Sequence, residues 1–200
     1  MSTEVFVRYT MAAAVLALTS GCIPELYTSG ASGEDWVAPE NSWPMNAPPE
    51  NISAQGWQDG QTPPDARLVD QNGQEVSLWQ FYGEVVLFDV STMWCAPCQE
   101  LARHTEETWL DYQGEGFVYL TVLAQDVEGQ SVEVGELNEW AEIFGITAPI
   151  LADNEGVTAG AVSNGQYPAV LIYDRKMRLH HRVKTVNDEA EIAEAIEEVL

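Results

Sequence analysis

The sequence predicts an α/β fold, with a central mixed β-sheet that is flanked by helices and preceded by a β-hairpin. Two apolar runs, residues 84–91 and 117–125, are rich in Val, Leu and Phe, which is typical of strands buried on both faces. An amphipathic helical pattern follows each run. Because 46% of the 200 residues are hydrophobic, the chain can bury the core of one such domain.

The predicted domain spans residues 65–200 and begins with the hairpin. Residues 66–70 and 75–78 read as two short strands, and the Gln-Asn-Gly sequence between them is a turn signal. A loop over 79–83 then leads to the first buried strand.

The helix predicted after that strand spans residues 96–113 and stops at Gly114. Its inward face is expected to consist of Leu101, Ala102, Thr105, Trp109 and Tyr112.

The remaining elements are predicted from the same patterns. They are a helix over 136–144 that buries Leu137, Trp140, Ala141 and Phe144, a short helix over 153–161, a strand over 169–173, its hairpin partner over 179–184, and an acidic amphipathic helix over 187–200 that buries Ile192, Ile196, Val199 and Leu200.

The N-terminal residues 1–21 read as a signal peptide. The apolar run over 11–18 is short for a transmembrane helix, and small residues follow it directly before Cys22. This arrangement resembles a bacterial lipoprotein signal, which implies that Cys22 is lipidated and becomes the mature N-terminus. Ordinary secretion, an uncleaved anchor and a cytosolic N-terminus remain the alternatives.

Residues 22–64 read as an extended tether between the signal and the domain. Seven of the ten prolines lie here, among Ser, Gly, Asn and acidic residues. Three tryptophans, Trp36, Trp43 and Trp57, are unusual in a linker. We expect them to pin the segment onto the domain, with ligand binding as the alternative.

The formal net charge of −24, from 32 acidic and 8 basic residues, argues against nucleic-acid binding and against an anionic membrane surface. We interpret the acidity as a solubility feature or as adaptation to a salty medium, with a basic partner as the alternative. Five of the bases lie between residues 175 and 184, and we expect them to form a local hairpin surface rather than a binding patch.

The motif that carries chemistry is Trp94-Cys95-Ala96-Pro97-Cys98, at the junction of a strand and a helix. A helix N-terminus favours negative charge, so the leading thiol should ionise more easily than a free cysteine. This predicts a dithiol for thiol–disulfide exchange. An inert disulfide and half of a zinc site are the alternatives, although zinc would need two more ligands and only three histidines are available.

The order of these elements around the motif resembles the thioredoxin superfamily. The stretch over 68–78 and the added segment over 126–135 are similar to the tethered, extracytoplasmic TlpA/ResA-type proteins. The resemblance covers about residues 60–200 and implies a thioredoxin-like fold, a redox-active Cys95–Cys98 pair, and no metal or other cofactor.

The resemblance also implies roles for the matching residues. Cys95 would be the exposed attacking thiolate, and the less exposed Cys98 would resolve the mixed disulfide. Trp94 and Pro97 would lie beside the sulfurs. Tyr167 and Pro168 match the family's cis-proline loop, which helps to hold the partner chain.

Asp89 matches the buried acid that thioredoxin carries behind its cysteines. A buried carboxyl has a raised pKa and can exchange a proton with the resolving thiol. Glu100 is near the position of an acid found in tethered relatives, but one residue early, so it is expected to face solvent. His104 is expected to be a surface residue, and either His180 or His181 would have to lie beside the dithiol for copper binding.

The sequence therefore predicts a monomeric, extracytoplasmic thiol–disulfide oxidoreductase, working in the reducing direction from the periplasmic side of a membrane. Its expected partners are exported proteins that carry disulfides, apocytochrome c among the candidates, and a membrane electron donor. A copper metallochaperone and a thiol peroxidase are the alternative functions.

Overall fold

The computed structural model describes residues 32–185 and 187–200. The predicted signal peptide and Cys22 lie outside the described residues. No helix of the described residues is long and apolar enough to cross a membrane.

Within the described residues, seven strands form one mixed sheet in the order β2-β1-β5-β4-β3-β6-β7. The strands are β1 (Arg67–Asp70), β2 (Glu75–Ser77), β3 (Val85–Ser91), β4 (Phe117–Leu123), β5 (Ile150–Ala152), β6 (Ala169–Tyr173) and β7 (Leu179–Arg182). The central strand β3 is parallel to β4 and antiparallel to β6. Every residue of β3 and β4 is buried, as their apolar runs predict.

The described residues also form three α-helices: α1 (Ala96–Tyr112), α2 (Val134–Phe144) and α3 (Glu189–Glu197). Helix α1 packs on β4, and α2 packs on β5 and β1. Their buried residues follow the predicted faces in part, since Leu101, Ala102, Thr105 and Trp109 of α1 are buried whereas Tyr112 is partly exposed.

The short helix expected over 153–161 is wrong. The carboxylate of Asp153 accepts hydrogen bonds from the backbone N–H groups of Val157 and Thr158, which closes a turn instead of a helix. Gly156 lies in the left-handed region within this turn, and only a short 3₁₀ turn follows, at Ala159–Ala161. The strand β5 was not predicted, because three residues give no measurable alternation.

The described part of the predicted tether packs against the domain. Trp57 is buried in the core, and its ring stacks on Phe88 of β3 at 5.9 Å between centroids. The indole N–H of Trp43 donates to Asp70 at 2.7 Å, and that of Trp36 donates to Ser77 at 2.9 Å. Residues 32–64 are therefore a strap on the sheet rather than an extended arm.

Candidate active site

Cys95 and Cys98 form a disulfide at the N-terminus of α1, with their Cα atoms 5.2 Å apart. Cys95 is the N-cap residue of the helix, and its sulfur accepts a hydrogen bond from the backbone N–H of Cys98 at 3.3 Å. Pro97 lies in the first turn, where a missing N–H costs no helical hydrogen bond. The helix N-terminus therefore presents a donor and a partial positive charge to the leading sulfur.

The expectation that Cys95 is exposed is wrong for the disulfide form. Cys95 is 5% exposed and Cys98 is 1% exposed, so the predicted order holds but both are buried. The cover comes from the neighbouring loop, because the carbonyl oxygen of Tyr167 lies 3.4 Å from the Cys95 sulfur. A reduced Cys95 thiol at this position could donate to that oxygen.

Cys95 lies on a groove of about 540 Å³ between the start of α1 and the loop before β6. The Tyr167–Pro168 peptide bond in that loop is cis, as the resemblance implies. Trp94 is half exposed, packs edge-on against Tyr167 at 6.2 Å between centroids, and donates from its indole N–H to Gln125. Trp94 thus forms a wall of the groove and does not close it.

Asp89 is buried in the centre of β3, and its carboxylate accepts a hydrogen bond from the hydroxyl of Ser91 at 2.6 Å. Burial raises the pKa of Asp89 to about 7, and the Ser91 hydrogen bond opposes this rise. A carboxyl with this pKa can hold or release a proton near neutral pH. The sequence indicated Asp89 but not Ser91, which alternation places on the same face of the strand.

The other candidate residues lie away from the groove. Glu100 is exposed and pairs with Arg103 at 3.2 Å, and His104 pairs with Glu189 at 3.2 Å. His180 and His181 contact Glu198 and Glu191 near α3. The described part of the chain contains no group of three or more His, Cys, Asp or Glu side chains that could hold a metal ion.

The two basic residues of the groove, Arg182 and Lys184, were missed as site residues. The sequence showed a basic cluster near the C-terminus but not which end of the hairpin faces the cysteines. The pairing of β6 with β7 settles this, because it places the last residues of β7 beside the start of β6.

Solved structures that resemble this one share its thioredoxin-like fold. A putative protein disulfide isomerase from Bacteroides thetaiotaomicron superposes with a TM-score of 0.61 at 21% identity, covering 74% of this chain and 94% of that one. A putative thiol:disulfide interchange protein DsbE from Chlorobium tepidum gives a TM-score of 0.58 at 20% identity, covering 74% and 99%. The fold and the Cys95–Cys98 pair thus define a thioredoxin-like protein with a two-cysteine site.

Residues 60–182 match the AhpC/TSA family, so the chain belongs to that family. The thiol-disulfide oxidoreductase ResA of Geobacillus thermodenitrificans (strain NG80-2) is 27% identical over 144 residues, which cover 70% of this chain and 77% of that protein. The thioredoxin-like protein YneN of Bacillus subtilis (strain 168) is 29% identical over 121 residues, which cover 60% and 68%. The chain is a thiol–disulfide oxidoreductase by class.

Proposed function

We propose that the protein reduces disulfides of exported proteins, with Cys95 as the attacking thiolate and Cys98 as the resolving thiol. The observation that carries this proposal is the position of Cys95. Its sulfur caps α1, accepts the Cys98 N–H and lies on an open groove, whereas Cys98 is enclosed. Only the first sulfur can therefore meet a partner.

The proposed reaction moves two electrons from the dithiol to the partner. The Cys95 thiolate attacks one sulfur of the partner disulfide, so a mixed disulfide forms and the second partner sulfur leaves as a thiolate. The Cys98 thiolate then attacks the Cys95 sulfur, which forms the Cys95–Cys98 disulfide and releases the first partner sulfur. The partner is reduced, the protein is oxidised, and a separate dithiol donor must restore it.

Asp89 is proposed to take the proton of the Cys98 thiol before the second attack and to return it when the dithiol is restored. Its support is burial on β3 together with a pKa near 7, which allows transfer in both directions at neutral pH. Trp94, Pro97, Tyr167 and Pro168 are proposed to hold the partner segment, because they line the groove beside Cys95.

The first experiment combines the reduced protein with an oxidised protein substrate. Wild type should yield free partner thiols and its own internal disulfide. Cys98→Ser should stop at a mixed disulfide through Cys95, and Cys95→Ser should not react. Trapping through Cys98 instead of Cys95 would reverse the proposed roles.

The direction follows from the reduction potential of the pair in thiol redox buffers. A value near that of thioredoxin, about −270 mV, would support the reducing direction. A value near that of DsbA, about −120 mV, would contradict it and would indicate a disulfide donor.

An extracytoplasmic location with a lipid anchor on Cys22 is also part of the proposal, supported by the signal-like residues before that cysteine. Cells labelled with radioactive palmitate should yield labelled wild-type protein and unlabelled Cys22→Ala protein. Equal label in both proteins would overturn the anchor.

A further inference from the structure

The groove beside Cys95 differs in charge from the rest of this acidic chain. The chain has 32 Asp and Glu residues and only 8 Lys and Arg residues. Among the described residues that line the groove, however, none is acidic and two are basic, Arg182 and Lys184. A groove that binds a basic partner would be expected to have carboxylates among its lining residues.

The charge of Arg182 is fixed in place and is not neutralised. Its guanidinium donates to the carbonyl oxygens of Ala161 and Trp57, the second at 2.8 Å. Neutral carbonyl groups hold the side chain without cancelling its charge. No carboxylate of the described residues forms an ion pair with it, unlike Arg67, Arg103 and Arg178, which each have an acidic partner.

Lys184 adds a second positive charge on the solvent side of the groove. It is exposed, and no carboxylate among the described residues pairs with its ammonium group. The nearby carboxylate of Glu191 instead accepts hydrogen bonds from the backbone N–H groups of Lys184 and Thr185 and contacts His181. The ammonium group is thus available to a partner.

The loop before β6 links this charge to the reacting sulfur, because the Tyr167 carbonyl oxygen lies 3.4 Å from the Cys95 sulfur and β6 begins two residues later. The backbone N–H of Val183 donates to Val170 at 3.0 Å, so the segment with Lys184 runs beside the start of β6. Neighbouring strands lie about 4.8 Å apart, and an extended peptide advances about 3.3 Å per residue. A partner sulfur at Cys95 would therefore place residues two or three positions away within reach of Lys184.

We propose that this groove selects partner segments that carry a carboxylate side chain within about three residues of the disulfide cysteine. This inference rests on the proposed function, since it names the substrate class of the same site. The net charge of −24 repels acidic partners at long range, so the selection acts at contact distance.

The test uses three cysteine peptides activated as thiopyridyl disulfides, identical except for Glu, Gln or Lys at the second residue on both sides of the cysteine. Attack by the Cys95 thiolate joins the peptide to the protein and releases thiopyridone, which takes a proton from solvent and is measured by absorbance. With reduced wild-type protein at about 0.15 M salt, we expect the Glu peptide to react about threefold faster than the Gln peptide and about tenfold faster than the Lys peptide.

Two charge-reversal variants separate local from global electrostatics. Lys184→Glu should abolish the preference for the Glu peptide over the Lys peptide, because its carboxylate offsets the Arg182 charge. Lys176→Glu makes the same change in net charge on the turn at the far end of the β6–β7 hairpin, where the side chain is also exposed, and should keep the wild-type order.

The outcomes distinguish the inference from the proposed function. Fast reaction of all three peptides at one rate, or equal effects of the two variants, would overturn the charge selection and leave the oxidoreductase proposal intact. If none of the peptides reacted faster with Cys95 than with a simple thiol at equal thiolate concentration, both proposals would fail.

Discussion

At the scale of single residues, Asp89 is the group whose surroundings depart furthest from water. The carboxyl accepts a hydrogen bond from the Ser91 hydroxyl, and its parallel-strand neighbour Thr121 has a buried hydroxyl with no partner among the described residues. Tyr119 is also close, since burial and the Asp89 charge raise the pKa of its phenol. The sheet thus buries a carboxyl whose ionised form is stabilised by the Ser91 hydrogen bond less than burial destabilises it.

The raised pKa predicts that Asp89→Asn stabilises the oxidised protein in a pH-dependent way. Below the ordinary value of 3.8 the carboxyl is protonated in both states, so it has no effect. Between 3.8 and about 7 only the unfolded chain ionises, and stability falls as pH rises. Above about pH 7 the carboxyl is ionised in both states, so stability falls no further. The unfolding free energy lost relative to low pH then amounts to up to about 4 kcal/mol.

Urea denaturation of wild type and Asp89→Asn at pH 4 and pH 8 checks this prediction. The gain in unfolding free energy of Asp89→Asn over wild type should be small at pH 4 and large at pH 8. Asp126→Asn offers a contrast, because the Asp126 carboxylate accepts backbone N–H groups from Glu128 and Gln130 and should be needed for stability. A pH-independent effect of Asp89→Asn would contradict burial as the cause.

The same residue is predicted to control exchange kinetics. Asp89→Asn should slow the release of the mixed disulfide and flatten its pH dependence near pH 7, since no group remains to take the Cys98 proton. Ser91→Ala removes the hydrogen bond that lowers the pKa of Asp89. The pH profile of mixed-disulfide release in this variant should therefore shift to higher pH. Stopped-flow measurement of partner thiol release between pH 5 and 9 gives both profiles, and an unchanged profile in Asp89→Asn would refute the assignment.

At the scale of elements, the start of α1 predicts different reactivity for the two thiols. The Cys98 N–H and the helix terminus favour negative charge on the Cys95 sulfur, whereas the Cys98 sulfur is enclosed one turn into the helix. In the reduced protein at pH 7, iodoacetamide should modify Cys95 at least about tenfold faster than Cys98. Mass spectrometry of time points reads both rates, and equal rates would contradict the role of the helix terminus.

The strap predicts a large stability effect at Trp57. The ring is buried on Phe88, and a Cβ at Gly160 would overlap it, so the pocket has no spare room and no easy way to collapse. Trp57→Ala should cost about 3–5 kcal/mol of unfolding free energy. The half-buried Trp36 provides the control, since Trp36→Ala loses one hydrogen bond and part of a surface contact and should cost about 1–2 kcal/mol.

Urea titrations followed by far-ultraviolet circular dichroism measure both losses. A cost for Trp57→Ala no larger than the small cost expected for Trp36→Ala would contradict a structural role of the buried Trp57 ring. The strap also helps to position a groove residue, because the Trp57 carbonyl oxygen accepts a hydrogen bond from the Arg182 guanidinium.

The same elements show what the sequence could predict. Long apolar runs and helical spacing gave β3, β4 and the three helices, because burial of a whole face leaves a periodic pattern. The three tryptophans of the strap predicted that it contacts the domain, but not which residues it meets, because those contacts join residues about 30 to 40 positions apart in a segment with no period. For the site, local spacing indicated Cys95 and Cys98, and the family resemblance indicated Asp89. Arg182, in contrast, reaches the groove only through strand pairing.

At the scale of the whole molecule, the acidic residues fall into two groups with opposite effects. Some cap turns: the Asp70, Asp126 and Asp174 carboxylates each accept hydrogen bonds from backbone N–H groups two and four residues ahead. These charges stabilise the fold. The exposed glutamates of the helices have few bases to pair with, because only eight are present in the chain.

This imbalance predicts that salt stabilises the protein. Unpaired like charges repel one another across the surface, and the Debye length falls from about 10 Å at 0.1 M to about 3 Å at 1 M salt. Since about 2 kcal/mol at the midpoint shifts Tm by roughly 5 °C in a chain of this size, we expect Tm to rise by about that amount between these sodium chloride concentrations. Glu139→Lys with Glu142→Lys provides the control, because both are exposed on α2 and the pair makes the net charge four units less negative. The double variant should have a higher Tm at low salt and a smaller rise with salt, as measured by calorimetry. If wild type and variant responded equally, general salt effects on burial would explain the rise, and self-repulsion would not.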